Sequence, residues 1–137
     1  MDAFDADVLI YAADARNEIG GSVRGLFTSV EPGADVGIGS VLLLPEVLAL
    51  PMRRGATDEI ASLAGLLGRL DLRSADEATA AYAASLGAEY GLRAADAIHL
   101  ATAALAGADR FVTNNRRDFT KSIREIDVTY PEDLPAA

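Results

Sequence analysis

Apolar and polar residues follow two rhythms along the chain. Runs of three or four apolar residues alternate with longer stretches in which apolar positions recur at helical spacing. Met1 to Phe4 reads as a short first strand. Val8 to Ala13 follows as helix, with Asp5 and Asp7 near its start. Ile19 to Val30 is a second helical pattern, closed by the turn Glu31-Pro32-Gly33. Val36 to Ile38 reads as a strand, and Ser40 is placed to cap the apolar helix beyond it. Pro45, inside the apolar run Val41 to Met52, either kinks that helix or marks its true first turn. Thr57, followed by Asp58 and Glu59, starts a helix expected to reach Arg69. Leu70 to Leu72 is a brief strand. Ser74 to Tyr90 and Ala94 to Ala106 are helical patterns stopped by Gly91 and Gly107. Arg110 to Thr113, and the alternating Ile126, Val128 and Tyr130, complete the set as strands.

Short strands separated by helices predict an α/β fold, a small parallel sheet covered on both faces. In such sheets ligands bind beyond the carboxyl ends of the strands. The polar residues of interest therefore stand just after strands or at helix starts. No repeat, low-complexity tract or linker divides the 137 residues, so one domain spanning 1–137 is expected.

Composition narrows the chemistry. The sequence has no cysteine, which excludes a disulfide framework, a zinc-thiolate site and thiol catalysis, and fits a reducing cytoplasm. Asp2, Asp5 and Asp7 stand where a signal peptide would be basic. Pro45 and Glu46 interrupt the longest apolar run, which is shorter than the roughly 20 residues of a membrane span, so a soluble protein is expected. The formal net charge of −9 argues against a broad electrostatic grip on nucleic acid. A nucleic-acid substrate would require a local basic patch and cations bridging phosphates to carboxylates.

Four places put polar groups where folding alone prefers apolar ones. In Phe4-Asp5-Ala6-Asp7, Asp5 closes a strand and faces the expected crevice, while Asp7 opens a helix and is read first as its cap. Glu46 is the one charged residue in its apolar run, costly there unless a metal or an arginine compensates it; the plainer reading is that it snorkels to the surface or pairs with Arg53 or Arg54. In Arg93 to Thr102, Asp96, His99 and Thr102 recur three apart on an otherwise Ala-, Ile- and Leu-rich helix, where His99 reads first as a packed core residue. In Phe111 to Phe119, a turn after a strand carries Thr113, Asn115 and Asp118 to the rim of the site, with Arg116 and Arg117 beside them for phosphates. Carboxylates without competing thiols suit Mg²⁺ or Mn²⁺, which polarise phosphoryl oxygens and activate water.

Together these segments resemble the PIN domain family: Asp-x-Asp at the first strand, Pro-Glu-Val on an apolar helix, Asp-Ala-Ile-His-Leu-Ala-Thr-Ala, and Val-Thr-Asn-Asn-Arg-Arg-Asp-Phe. More narrowly they look like VapC-type toxins of bacterial type II toxin–antitoxin pairs, from Phe4 to Phe119. The resemblance implies a three-layer α/β/α sandwich and a Mg²⁺- or Mn²⁺-dependent endoribonuclease. It implies metal ligation by Asp5, Glu46 and Asp96, with a fourth catalytic position on Asn115 or Asp118. A homodimer and a cognate antitoxin that blocks the site follow from it too. Asp7 stands where the family often has Asn or Ser, and Asn115 where many members have Asp. Two alternatives stay open. One is a PIN fold kept as a binding or assembly module after its metal site has decayed. The other is a haloacid-dehalogenase-like phosphohydrolase with Asp5 as nucleophile and Asp7 as general acid, which needs a lysine that only Lys121 offers.

Overall fold

The protein is described by a computed structural model over residues 1–136; the last residue of the expected 1–137 span lies outside them. Among the described residues, five strands form one sheet: β1 (Asp2–Phe4), β2 (Gly37–Ser40), β3 (Leu70–Arg73), β4 (Arg110–Val112) and β5 (Asp127–Thr129). Their order is β3-β2-β1-β4-β5 and every pairing is parallel. Six α-helices accompany them: α1 (Ala6–Ala13), α2 (Glu18–Thr28), α3 (Leu43–Arg54), α4 (Thr57–Leu67), α5 (Glu77–Tyr90) and α6 (Ala94–Leu105). A single 3-10 turn, Pro131–Asp133, follows β5. No described helix is long and apolar enough to cross a membrane.

The pleat divides the strands' side chains between two cores, because successive residues point to opposite faces. Phe4 and Val112 pack with Val8, Leu9, Val23, Leu43, Val47 and Leu63 from α1 to α4. Ala3, Phe111 and Val128 pack with Ala83, Leu86, Ala97 and Leu100 from α5 and α6. The result is the three-layer α/β/α sandwich on a parallel sheet that the sequence predicts.

Several helix ends differ from expectation for local reasons. α3 starts at Leu43 rather than directly after Ser40, whose Oγ instead accepts from the Leu42 N–H at 3.1 Å. Pro45 consequently falls in the first turn, where no N–H is required, and no kink is needed at that point. α5 begins at Glu77 rather than Ser74, because Asp76 caps it: its Oδ1 accepts from the Thr79 N–H at 2.9 Å and from Thr79 Oγ1 at 2.8 Å. α4 ends at Leu67, and Arg69 beyond it donates to the carbonyls of Ala34 and Glu31.

α1 and α2 meet at Gly20. A Cβ built there would lie 2.1 Å from the Tyr11 carbonyl oxygen, and Arg24 binds the same helix end by donating to Ala12 O at 3.3 Å and Asp14 O at 2.7 Å. Gly65, in α4, has nothing within 4 Å of the same construction. Gly20→Ala is therefore expected to lower unfolding free energy by about 1–3 kcal/mol through overpacking against backbone. Gly65→Ala should raise it by roughly 0.5–1 kcal/mol through helix propensity alone. Denaturant titration of both variants checks the pair, and equal effects would refute the close helix contact.

Candidate functional site

β1 lies at the centre of the sheet, with β2 on one side and β4 on the other. The order reverses there, which opens a crevice at the carboxyl ends of β1 and β4. Asp5 is the residue that follows β1. Its N–H donates to Val112 O at 3.0 Å, carrying the β1–β4 ladder one step further. Its Oδ1 accepts from the Ala6 N–H at 2.8 Å, and its Oδ2 accepts from Thr113 Oγ1 at 2.8 Å. Asp5 is thus the cap of α1. The cap expected at Asp7 is therefore Asp5 instead. Asp7 lies in the first turn, and its Oδ2 accepts from the Asn114 N–H at 3.1 Å, tying α1 to the loop after β4. Its buried Oδ1 has no hydrogen-bond partner among the described residues.

Asp96 lies in the first turn of α6, and His99 one turn further along is almost fully buried. His99 Nε2 lies 3.0 Å from Glu46 Oε1, which joins α6 to α3. Glu46 is exposed rather than buried, so its helix does not require the expected offset from a metal or from Arg53 or Arg54; its partner is His99, while Arg54 pairs with Glu59 at 3.5 Å. Thr113, expected at the rim, is wholly buried: its Oγ1 donates to Asp5 and accepts from the Asn115 N–H at 3.1 Å. Asn115 and Asp118 close on each other, Nδ2 donating to Oδ2 at 3.0 Å and the Asp118 N–H donating to Oδ1 at 3.3 Å. Arg117 projects into solvent with its Nε 4.0 Å from Asp118 Oδ1. Arg116 is engaged elsewhere, paired with Glu132 and 4.5 Å from the centre of the Tyr130 ring. Lys121 pairs with Asp133 at 2.6 Å and approaches the same ring at 5.0 Å.

The carboxylates feel one another. Burial pushes the Asp5 carboxyl above its ordinary range and Glu46 adds to the shift, while Thr113, His99 and Ala6 pull it back. Asp96 is raised by burial, then by the charges of Asp5 and Asp118. Asp7 is pushed up to about 7, by burial first and then by Asp5. For His99, burial opposes the charged ring, but the bond to Glu46 and the nearby charges of Glu46, Asp5 and Asp96 outweigh it and raise the pKa. Asp5, Asp7, Glu46, Asp96, His99 and Asp118 therefore share one electrostatic neighbourhood assembled from α1, α3, α6 and the loop after β4.

No group of three or more histidine, aspartate or glutamate side chains among the described residues is preformed to hold a metal ion. The donor chemistry nevertheless fits a hard cation. Each Asp5 oxygen accepts one hydrogen bond and keeps a further lone pair, and Asp7 Oδ1 is unpartnered. Repulsion among these acids is the condition that a divalent cation relieves. The His99 link is the feature the sequence reading did not anticipate; the spacing of Asp96 and His99 on one helix was its only local signal.

The elevated Asp7 carboxyl makes stability depend on pH in the metal-free protein. Unfolded, the group ionises near 3.8; folded, it holds its proton to about 7. Stability from the protonated form is fully present below 3.8, declines between 3.8 and 7, and is lost above. Asp7→Asn keeps an acceptor for the Asn114 N–H and removes the charge. In chelator, its melting temperature should exceed wild type at pH 8, and the difference should close by pH 4. A difference that does not change with pH would count against the buried, repelled carboxylate.

The PIN domain model matches residues 3–123. No curated protein sequence matches the chain. Among solved structures it is similar to a toxin–antitoxin complex from Klebsiella pneumoniae, at 24% identity and a TM-score of 0.71, over 96% of this chain and 98% of that one. It is similar to VapBC2 from Rickettsia felis bound to a DNA fragment from their promoter, at 17% identity and a TM-score of 0.73, over 94% and 97% of the two chains. FitAB bound to an IR36 DNA fragment matches at 19% identity and a TM-score of 0.66, over 98% of both. At these identities the likeness is one of fold. The parallel five-stranded sheet between two helical layers and the match over most of the sequence lead to one conclusion: this chain belongs to the PIN domain family.

Proposed function

We propose that this PIN domain is a divalent-metal-dependent endoribonuclease and the toxin of a toxin–antitoxin pair. The observation that carries the reading is the gathering of acids at the carboxyl end of the central strand, where burial and then Glu46 raise the Asp5 carboxyl, and burial and then Asp5, Asp118 and Glu46 raise that of Asp96. Nuclease activity is the general property of the family, and one similar fold, from Klebsiella pneumoniae, is that of a toxin–antitoxin complex. A cognate antitoxin, a homodimer and a cytoplasmic setting belong to the same proposal.

In this reading Asp5, Glu46 and Asp96 hold Mg²⁺ or Mn²⁺, and Asp118, oriented by Asn115, completes the site. The chemistry supplied by the bound cation is polarisation of the RNA phosphate and activation of a water for in-line attack. Thr113 holds Asp5 in place from beneath, and the Ala6 N–H fixes its other oxygen. Arg117 is the exposed cation nearest Asp118 and guides the RNA backbone toward the acids. Arg116 reaches phosphate only by leaving Glu132.

A second reading, the inactive binding module, draws on Asn115, an amide where many members carry an acid, and on the lack of a preformed metal group among the described residues. The phosphohydrolase alternative gains nothing from the structure, because Lys121, the only lysine in the sequence, is paired with Asp133 beside Tyr130.

The test is cleavage of labelled structured and single-stranded RNAs with Mg²⁺, Mn²⁺ or EDTA, alongside a folded Asp96→Asn variant. Cutting should require the cation, and Asp96→Asn should slow it by about a hundredfold or more, as expected for loss of several kcal/mol of charge stabilisation. Cleavage that survives chelation, or that Asp96→Asn leaves unchanged, would sink the nuclease assignment. Absence of cutting together with absence of Mn²⁺ binding would favour the inactive module.

A further inference from the structure

His99 is a polar residue in a place that packing alone would fill with leucine or methionine. It is 2% exposed, and its neighbours Leu100, Ala101, Thr102 and Ala103 are buried with it. Its Nδ1 has no partner among the described residues. Its one hydrogen bond is from Nε2 to Glu46 Oε1 at 3.0 Å. A buried ring with half its polar capacity unused is a cost to folding, and a core site that tolerates it points to a use for the other half.

Glu46 has the complementary problem. Its side chain is 32% exposed, long and rotatable, on a helix where solvent is within reach. Left to itself such a carboxylate turns outward to water. The bond to His99 keeps it near the other acids, Asp5 and Asp96, whose carboxyl pKa values it raises in turn. The two residues stand 53 apart in sequence, so the link is a product of the fold.

We infer that His99 is a positioning residue: by donating from Nε2 it holds the Glu46 carboxylate beside Asp5 and Asp96. The inference rests on the metal-site reading above. Hydrogen-bonded partners that orient ligating carboxylates typically change metal affinity or activity by about 10–100-fold when lost. His99 acts through Glu46 and does not itself bind the cation.

The experiment is a titration of chelator-stripped protein with Mn²⁺ alone, free Mn²⁺ being read by electron paramagnetic resonance. It uses His99→Leu, His99→Gln, His99→Asn, Glu46→Gln and the Glu46→Gln/His99→Leu double variant, each with a thermal melt. His99→Leu should weaken Mn²⁺ binding about tenfold or more. His99→Gln, whose amide nitrogen falls near the histidine Nε2, should restore it to within about threefold, whereas His99→Asn, whose amide falls near Nδ1, should not. The double variant should bind no more weakly than Glu46→Gln alone, the signature of two residues acting as one unit. Should His99→Leu fail to fold, the Gln and Asn variants decide the question by themselves. If Asn and Leu variants bind Mn²⁺ as wild type does and only melt earlier, His99 is a packing residue and the inference falls. If wild type binds no Mn²⁺, the metal-site reading falls first and takes this inference with it.

Discussion

Both carboxylate oxygens of Asp5 are engaged by the fold itself, one by the Ala6 N–H and one by Thr113 Oγ1. A single buried side chain therefore caps α1, pins the loop after β4 and marks the end of the central strand. The backbone at the same residue extends the β1–β4 pairing through Val112 O. Burying an ionisable group is costly unless hydrogen bonds offset it, and these bonds supply part of the offset. What they do not offset is the repulsion from Glu46, nor the effect of Asp5 on Asp7 and Asp96. The site thus keeps an electrostatic tension that the scaffold confines.

The wider charge distribution follows the same logic. The chain carries a formal charge of −9, and several of its cations are committed to internal acids: Arg110 to Asp2 at 2.8 Å, Arg124 to Glu89 at 3.2 Å, Lys121 to Asp133, Arg116 to Glu132. Exposed pairs of this kind contribute little stability. Their larger effect is to set these positive side chains against neighbouring acids, which weakens any general electrostatic attraction for a polyanion.

Much of the fold is legible in the sequence because its signals are local. Gly91 ends α5 in the left-handed conformation, and Gly107 has a positive φ just past the end of α6, as their positions after helical patterns indicate. The short strands stand out between helices as apolar runs. The acids Asp5, Glu46, Asp96 and Asp118 are legible as polar intrusions, and the structure brings them into one neighbourhood. What escapes the sequence is pairing across distance. Asp7 reads as the cap and Asp5 as the acid facing the crevice, and only the partners Thr113 and Asn114, more than a hundred residues away, show that Asp5 takes both parts. Thr113 reads as a rim residue because turns are usually exposed, yet its hydroxyl is needed beneath Asp5. The partner of Glu46 could not be chosen among arginines, a metal and His99 without knowing how α3 crosses α6.

The order of the strands has a consequence for the newborn chain. β1 is made before the other four strands, but one of its two neighbours, β4, pairs Asp2 with Arg110 and Phe4 with Val112. The earliest strand of the sheet therefore waits at its middle for a segment made more than a hundred residues later, a contact of the long-range kind that folds slowly. Asp5 cannot meet Thr113, nor Asp7 meet Asn114, until that segment has emerged. A chain lacking β4 carries the first acids without the loop that gathers them, so the order of synthesis keeps the site unassembled until β4 and that loop have been made.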